Sequence, residues 1–137
     1  MPLDRIRIVL MAPSHGGNVG ACARAMKTMG LSRLVLVTPK EFPSAEATAR
    51  AVGAEDVLDR ARVCTSLEEA VGDCQLVIGT SARSRRINWP LLDPSEAARR
   101  VVVQSATGEV AVLFGRERIG LTNDELDRCQ LLVSVPS

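Results

Sequence analysis

The sequence predicts an α/β fold, a parallel sheet with helices on both faces, on three observations. Apolar runs rich in β-branched residues alternate with segments of helical spacing along the whole chain. Hydrophobic residues make up 46% of the 137 residues, yet the aromatics are only Phe42, Trp89 and Phe114. The core must therefore be aliphatic, as in strands buried on both faces. Several segments of helical spacing also begin on recognisable caps.

In chain order, the first apolar run covers residues 5–12 (RIRIVLMA) and reads as a strand. A helix is expected over 19–29, a second strand over 33–38, a second helix over 44–52 and a third strand over 62–65. Ser66 followed by Glu69 has the form of a capping box and opens a helix over 66–71. A fourth strand is expected over 75–80. Asp93 then caps a helix over 94–104, with Pro94 at its first position, where a missing N–H is harmless. The fifth strand is expected over 109–114. Thr122 with Glu125 marks a helix over 123–128, and the sixth strand runs over 131–135. Strands joined through helices imply right-handed crossovers and parallel pairing. Met26 and Met29 are expected in the core.

No linker, repeat or low-complexity stretch divides the chain, so residues 1–137 are expected to form one domain. No apolar run approaches the ~20 residues that a membrane span needs, and no secretion-type segment opens the sequence. A cytoplasmic protein without membrane contact is the expectation. Cys22, Cys64, Cys74 and Cys129 are far apart and His15 is the one histidine, so the expectation is buried, reduced thiols and no metal site. Net charge is +1, but residues 1–40 carry six basic side chains against one acidic, and residues 41–73 three against eight. Of the 17 basic residues 15 are Arg, whose planar fork suits phosphate.

In such sheets ligands bind beyond the carboxyl ends of the strands, which directs attention to three loops. After the first strand comes Pro13-Ser14-His15-Gly16-Gly17-Asn18-Val19-Gly20, followed by a helix carrying Arg24. A glycine-rich turn of this kind can cradle a phosphate, but there is no G-x-G-x-x-G and no Gly-Lys-Ser/Thr. The second strand also ends without the acidic residue that would hold a ribose. His15 reads as an ordinary loop histidine. After the fourth strand comes Gly79-Thr80-Ser81-Ala82-Arg83-Ser84-Arg85-Arg86, small residues that admit a ligand to the backbone, then three Arg within four positions. Phosphate binding and a solvated basic loop both fit it. The loop after the fifth strand, Phe114 to Leu126, holds Glu117 between Arg116 and Arg118, and a local charge pair is its plain reading.

Together these loops resemble the SPOUT superfamily of knotted methyltransferases, in its SpoU/TrmH branch. The family pattern Asn-x-Gly-x-x-x-Arg is matched by Asn18 to Arg24, and Phe-Gly-x-Glu-x-x-Gly-Leu by Phe114 to Leu121. The segments Ser14 to Asn18, Ala23 to Leu31 and Thr80 to Arg85 are closer still to branch members that methylate the ribose of the first anticodon-loop nucleotide of tRNA. A third motif, Ser-Leu-Asn after the sixth strand, does not occur in these residues, so the catalytic domain is expected to be incomplete at its C-terminal end.

The resemblance implies a deep trefoil knot, a homodimer, an RNA substrate, and S-adenosyl-L-methionine as cofactor bound at Thr80, Ser81, Ala82, Gly115 and Val135. It implies catalytic roles for Arg24, Asn18 and Glu117, and RNA contacts from Arg83, Arg85 and Arg86. Methyl transfer to a hydroxyl needs the oxygen held in line with the methyl carbon. Guanidinium stays protonated, so Arg24 is expected to clamp phosphate and stabilise the developing alkoxide rather than act as base. Asn18 is expected to orient the ribose or Arg24, and Glu117 to pair with Arg24. A non-catalytic RNA-binding module and a nucleotide-dependent oxidoreductase stay open as other classes, the latter opposed by the missing acidic residue.

Overall fold

The structure, a computed structural model, describes residues 2–81, 91–117 and 119–134. A 3-10 turn (Pro2–Arg5) leads into β1 (Ile6–Met11), followed by α1 (Gly16–Met29) and β2 (Arg33–Val37). Next come α2 (Ala45–Arg50), α3 (Glu55–Asp59), β3 (Arg62–Cys64), α4 (Leu67–Val71) and β4 (Leu76–Ser81). The chain ends with β5 (Leu91–Leu92), α5 (Pro94–Ser105), β6 (Val110–Phe114), α6 (Asn123–Leu126) and β7 (Leu131–Ser134).

The strands form one sheet in the order β3-β2-β1-β6-β4-β7-β5, and every pairing between them is parallel. All six expected strands are present. The seventh, β5, has two residues, too few for periodicity to reveal it. Alternation along each strand divides the core between the two faces. Ile6, Ile8, Leu34, Leu36 and Val110 pack with α1, α3 and α5 residues, while Val9, Val35, Val37, Ala111 and Leu113 pack with α4 and α6 residues.

The three read caps form. Thr122 and Glu125 make a reciprocal capping box, Asp93 accepts from Glu96 N–H, and Ser66 accepts from Glu69 N–H. Glu69 reaches one residue further back than a box requires, to Thr65 N–H at 2.9 Å. Met26 is buried as expected, but Met29 is 60% exposed on the last turn of α1. The four cysteines are free thiols; Cys64 and Cys129 are buried, Cys22 and Cys74 only partly so.

Helix α1 starts at Gly16, three residues before its periodicity becomes visible, because α2 supplies what the glycines lack. A Cβ at Gly16 would strike Ser44 Oγ, and one at Gly20 would strike the Ala47 carbonyl oxygen and come within 2.8 Å of Arg50 Cβ. The glycine of the Asn-x-Gly-x-x-x-Arg pattern thus lets two helix backbones touch. Gly20→Ala is expected to cost about 1–3 kcal/mol, despite alanine's better helix propensity, because a backbone carbonyl cannot yield as a side chain can. Urea denaturation measures it, and a neutral or stabilised variant would refute the packing role.

Arg7 sits at the amino end of the sheet, 3% exposed, on the face covered by α4. Its guanidinium grips both Asp73 carboxylate oxygens at 2.7 Å, donates to the Ala70 carbonyl at 2.8 Å and reaches Glu109, which Arg33 also holds at 2.7 Å. This network ties β1 to the turn before β4.

Candidate active site at the carboxyl ends of β1 and β6

Strands β1 and β6 are neighbours, with Leu10 beside Phe114, so the loops leaving them meet. Ala12, at φ 45°, turns the first loop away from the sheet. That left-handed conformation is strained for a residue with a Cβ. His15 occupies the N-cap of α1 without a side-chain capping bond. The Gly16 N–H donates instead to Glu41 at 3.2 Å.

The loop after β6 is pinned from both sides. Arg116 and Gly120 exchange backbone hydrogen bonds of 3.2 and 3.0 Å, with Gly120 at φ 70°. At Gly115 a Cβ would coincide with backbone atoms of Gly120 and Leu121. Arg116 donates to the buried Glu125 at 2.9 Å, and Glu125 also accepts from Thr122 N–H at 2.8 Å. Burial opposes ionisation of Glu125, but Arg116 and the capping bonds outweigh it and hold its carboxyl below the ordinary range.

With Arg116 so engaged, Glu117 projects to the first loop. Its carboxylate accepts from Ser14 N–H at 3.3 and 3.4 Å, Ser14 Oγ at 2.9 Å and Asn18 Nδ2 at 3.1 Å. Burial alone would raise the carboxyl; hydrogen bonds from Asn18, the loop backbone and Ser14 outweigh this and bring it to about 2. The expected Glu117–Arg24 pair does not form, because Ser14 and Asn18 occupy the carboxylate. Of the local pairings, that with Arg116 does not form, because Glu125 takes that guanidinium, and Arg118 lies outside the described residues. Arg24 is exposed on α1, and its side chain has no partner among the described residues. Two carboxylates already take the Ser14 and Gly16 N–H groups, which counts against a phosphate cradle at the start of α1.

Strand β4 lies between β6 and β7, so Thr80, Ser81 and Gly115 stand at adjoining strand ends. The Thr80 hydroxyl donates to the Leu113 carbonyl at 2.9 Å, bridging β4 to β6. Ala82, Arg83, Arg85, Arg86 and Val135 lie outside the described residues. Among the described residues no group of three or more His, Cys, Asp or Glu could hold a metal ion, and no helix is long and apolar enough to cross a membrane.

Three features escaped the sequence reading: Ser14 as a partner of Glu117, Glu125 as the anchor of Arg116, and an apolar groove of about 470 Å³ along α1. Leu10, Ala21, Cys22, Ala25 and Met29 line the groove, and Asn18 and Glu117 stand at its end. Burial pushes the Cys22 thiol up to about 11, so it is neither a ready ligand nor a nucleophile. The spacing of Asn18, Ala21, Cys22, Ala25 and Met29 on one helix face was the available signal. No local pattern announces Ser14, which meets Glu117 across 103 positions.

The comparisons agree with this geometry. The model of the SpoU rRNA Methylase family matches residues 5–137. A relative from Pseudomonas aeruginosa, named tRNA (cytidine/uridine/adenosine-2'-O-)-methyltransferase TrmJ, is 61% identical over 98% of this chain and 53% of its own length. The structure of a probable methylase family protein from Haemophilus influenzae superposes with a TM-score of 0.92 at 51% identity, covering 98% of this chain and 57% of that one. The crystal structure of TrmJ from Z. mobilis gives 0.90 at 39% identity, covering 96% and 58%. The chain spans about half the length of the curated relatives it matches. With a family model matching nearly all of its residues and the motif residues Asn18 and Glu117 hydrogen-bonded to one another, this chain belongs to the SpoU rRNA methylase family.

Proposed function

We propose that this chain is the catalytic domain of an S-adenosyl-L-methionine-dependent methyltransferase that methylates a ribose 2′-hydroxyl of tRNA, at the first nucleotide of the anticodon loop. The observation that carries the reading is the bond from Asn18 to Glu117, which joins two motifs 99 positions apart at the carboxyl edge of the sheet. Relatives named as tRNA 2′-O-methyltransferases support the choice of substrate.

Thr80, Ser81 and Gly115 fit the cofactor in being small residues at adjoining strand ends; Ala82 and Val135 belong to the same proposed set. The cofactor supplies an electrophilic methyl group on a sulfonium. The protein's part is to align the ribose oxygen, through Asn18, and to hold the neighbouring phosphate and the developing negative charge with Arg24. Glu117 serves as the fixed anchor of Asn18 rather than as Arg24's partner. The apolar groove along α1, with Met29 exposed beside it, supports a homodimer in which a second copy covers that face.

Methyl transfer from labelled cofactor to total tRNA, followed by mapping of the hydrolysis-resistant ribose, tests the function. Label at the first anticodon-loop nucleotide is the expected result. Label on another nucleotide would correct the substrate, and tRNA binding without transfer would leave only an RNA-binding module. Replacing Arg83, Arg85 and Arg86 together by Ala is expected to flatten the salt dependence of tRNA binding by roughly one unit of log-log slope per lost phosphate contact. Cofactor affinity is expected to stay unchanged. An unaltered slope would return this cluster to a solvated loop.

A further inference from the structure

We infer that Ser14 is a positioning residue for this reaction: by holding Glu117 it obliges Asn18 to present its carbonyl oxygen, not its NH2, as an acceptor for the ribose hydroxyl. The inference rests on the proposed function and concerns a residue outside both family motifs.

Ser14 gives Glu117 three of the contacts recorded on that carboxylate, two from its N–H and one from its hydroxyl, and Asn18 gives the fourth. Arg24 does not reach Glu117, and Arg116 is taken by Glu125. The carboxylate is therefore fixed by the loop after β1 and the first turn of α1. An ionised carboxylate only accepts hydrogen bonds. The Asn18 amide must then turn its NH2 towards Glu117, since the flipped amide would set two acceptors against each other.

That choice decides what Asn18 offers at the end of the groove. Its Oδ1 has no partner among the described residues and remains available to a donor. A ribose 2′-hydroxyl is such a donor, and directing its O–H towards Asn18 turns an oxygen lone pair elsewhere, towards the methyl carbon. The bound cofactor would supply the methyl: the carbon–sulfur bond of its sulfonium would break as the oxygen–carbon bond forms, and the O–H, made strongly acidic on the methylated oxygen, would then leave Asn18 Oδ1 and give its proton to water. Asn18 only directs the O–H. Glu117, held by donors from Ser14 and Asn18, serves as anchor and not as base.

The test combines steady-state methyl transfer to tRNA with NMR of the Asn18 side-chain amide in 15N-labelled protein. Ser14→Ala keeps the backbone donor and loses the hydroxyl, so kcat is expected to fall about tenfold, the loss of one charge-assisted hydrogen bond. KM for tRNA and the cofactor Kd are expected to stay within about twofold, since only alignment is weakened. The Asn18 amide protons are expected to exchange faster. Ser14→Thr, which keeps the hydroxyl, is expected to recover most of kcat. Glu117→Gln, whose amide can accept or donate, is expected to lose more than Ser14→Ala.

Unchanged kcat and an unchanged Asn18 signal in Ser14→Ala would overturn the inference. So would a joint loss of thermal stability, cofactor affinity and kcat that Ser14→Thr fails to restore, because that is a purely structural role. If the unaltered protein methylates no tRNA, the proposed function fails by itself. The Asn18 signal still decides the geometry, and no response to Ser14→Ala would overturn that as well.

Discussion

Arg24→Ala is expected to slow methyl transfer by at least about a hundredfold, the scale of losing one charged group aimed at developing negative charge. The fold and the cofactor affinity are expected to survive, because the Arg24 side chain is exposed and has no partner among the described residues. Its removal leaves no buried charge unpaired. Arg24→Lys is expected to be badly impaired too, since an ammonium cannot reproduce a two-pronged hold on phosphate. Single-turnover transfer from labelled cofactor at saturating tRNA separates this loss from weaker binding. Near-normal turnover in Arg24→Ala would remove Arg24 from the chemistry and leave Asn18 to account for alignment alone.

Arg7→Ala is expected to destabilise the fold by about 2–3 kcal/mol, mainly because it empties volume under α4 and removes the donor to the Ala70 carbonyl, while Asp73 and Glu109 keep contact with water or Arg33. The guanidinium fills space under α4 and answers Asp73, Glu109 and the Ala70 carbonyl at once. Arg7→Met is expected to lose less, because it refills the volume, Arg33 still holds Glu109, and Asp73 is 66% exposed and can turn to water. Equal losses in the two variants, by urea denaturation, would show that charge matters here and volume does not.

The same pair has a pH signature. The bond from Arg7 brings the Asp73 carboxyl from its ordinary 3.8 down to about 2. A depressed carboxylate stabilises the fold above its ordinary value and loses that contribution as pH falls through the folded one. Stability is therefore expected to decline between pH 3.8 and about 2 in the unaltered protein, and less steeply in Arg7→Ala. Asp73's exposure screens the interaction, so the decline is modest.

Much of the fold was legible because its signals are local. Near-continuous apolar runs mark β1, β2 and β6, and side-chain caps mark α4, α5 and α6, each within a few residues of chain. What escaped has no local signal. Strand β5 has two residues and is defined by its pairing with β7. Met29 follows the helical period and looks like core, but the face of α1 at the groove is left uncovered in the single chain. The first turn of α1 is rich in glycine, a poor helix former, and only contact with α2 explains why the helix starts there.

At the candidate site the division is the same. The sequence by itself determined which residue types follow the strands: Asn18 and Arg24 on the helix after β1, Thr80 at the end of β4, and Gly115 and Glu117 after β6, at spacings that identify the family and bring their loops to one end of a parallel sheet. It did not determine who bonds to whom. Glu117 lies one residue from Arg116, yet it bonds to Ser14 and Asn18, while Arg116 turns to Glu125. Neighbours in sequence point apart when a tight hairpin fixes the backbone between them, and the strand order β1-β6 puts distant loops within hydrogen-bond reach. Hydrogen bonds act over about 3 Å in space, with no regard for distance along the chain, so the tertiary structure alone decided these partners.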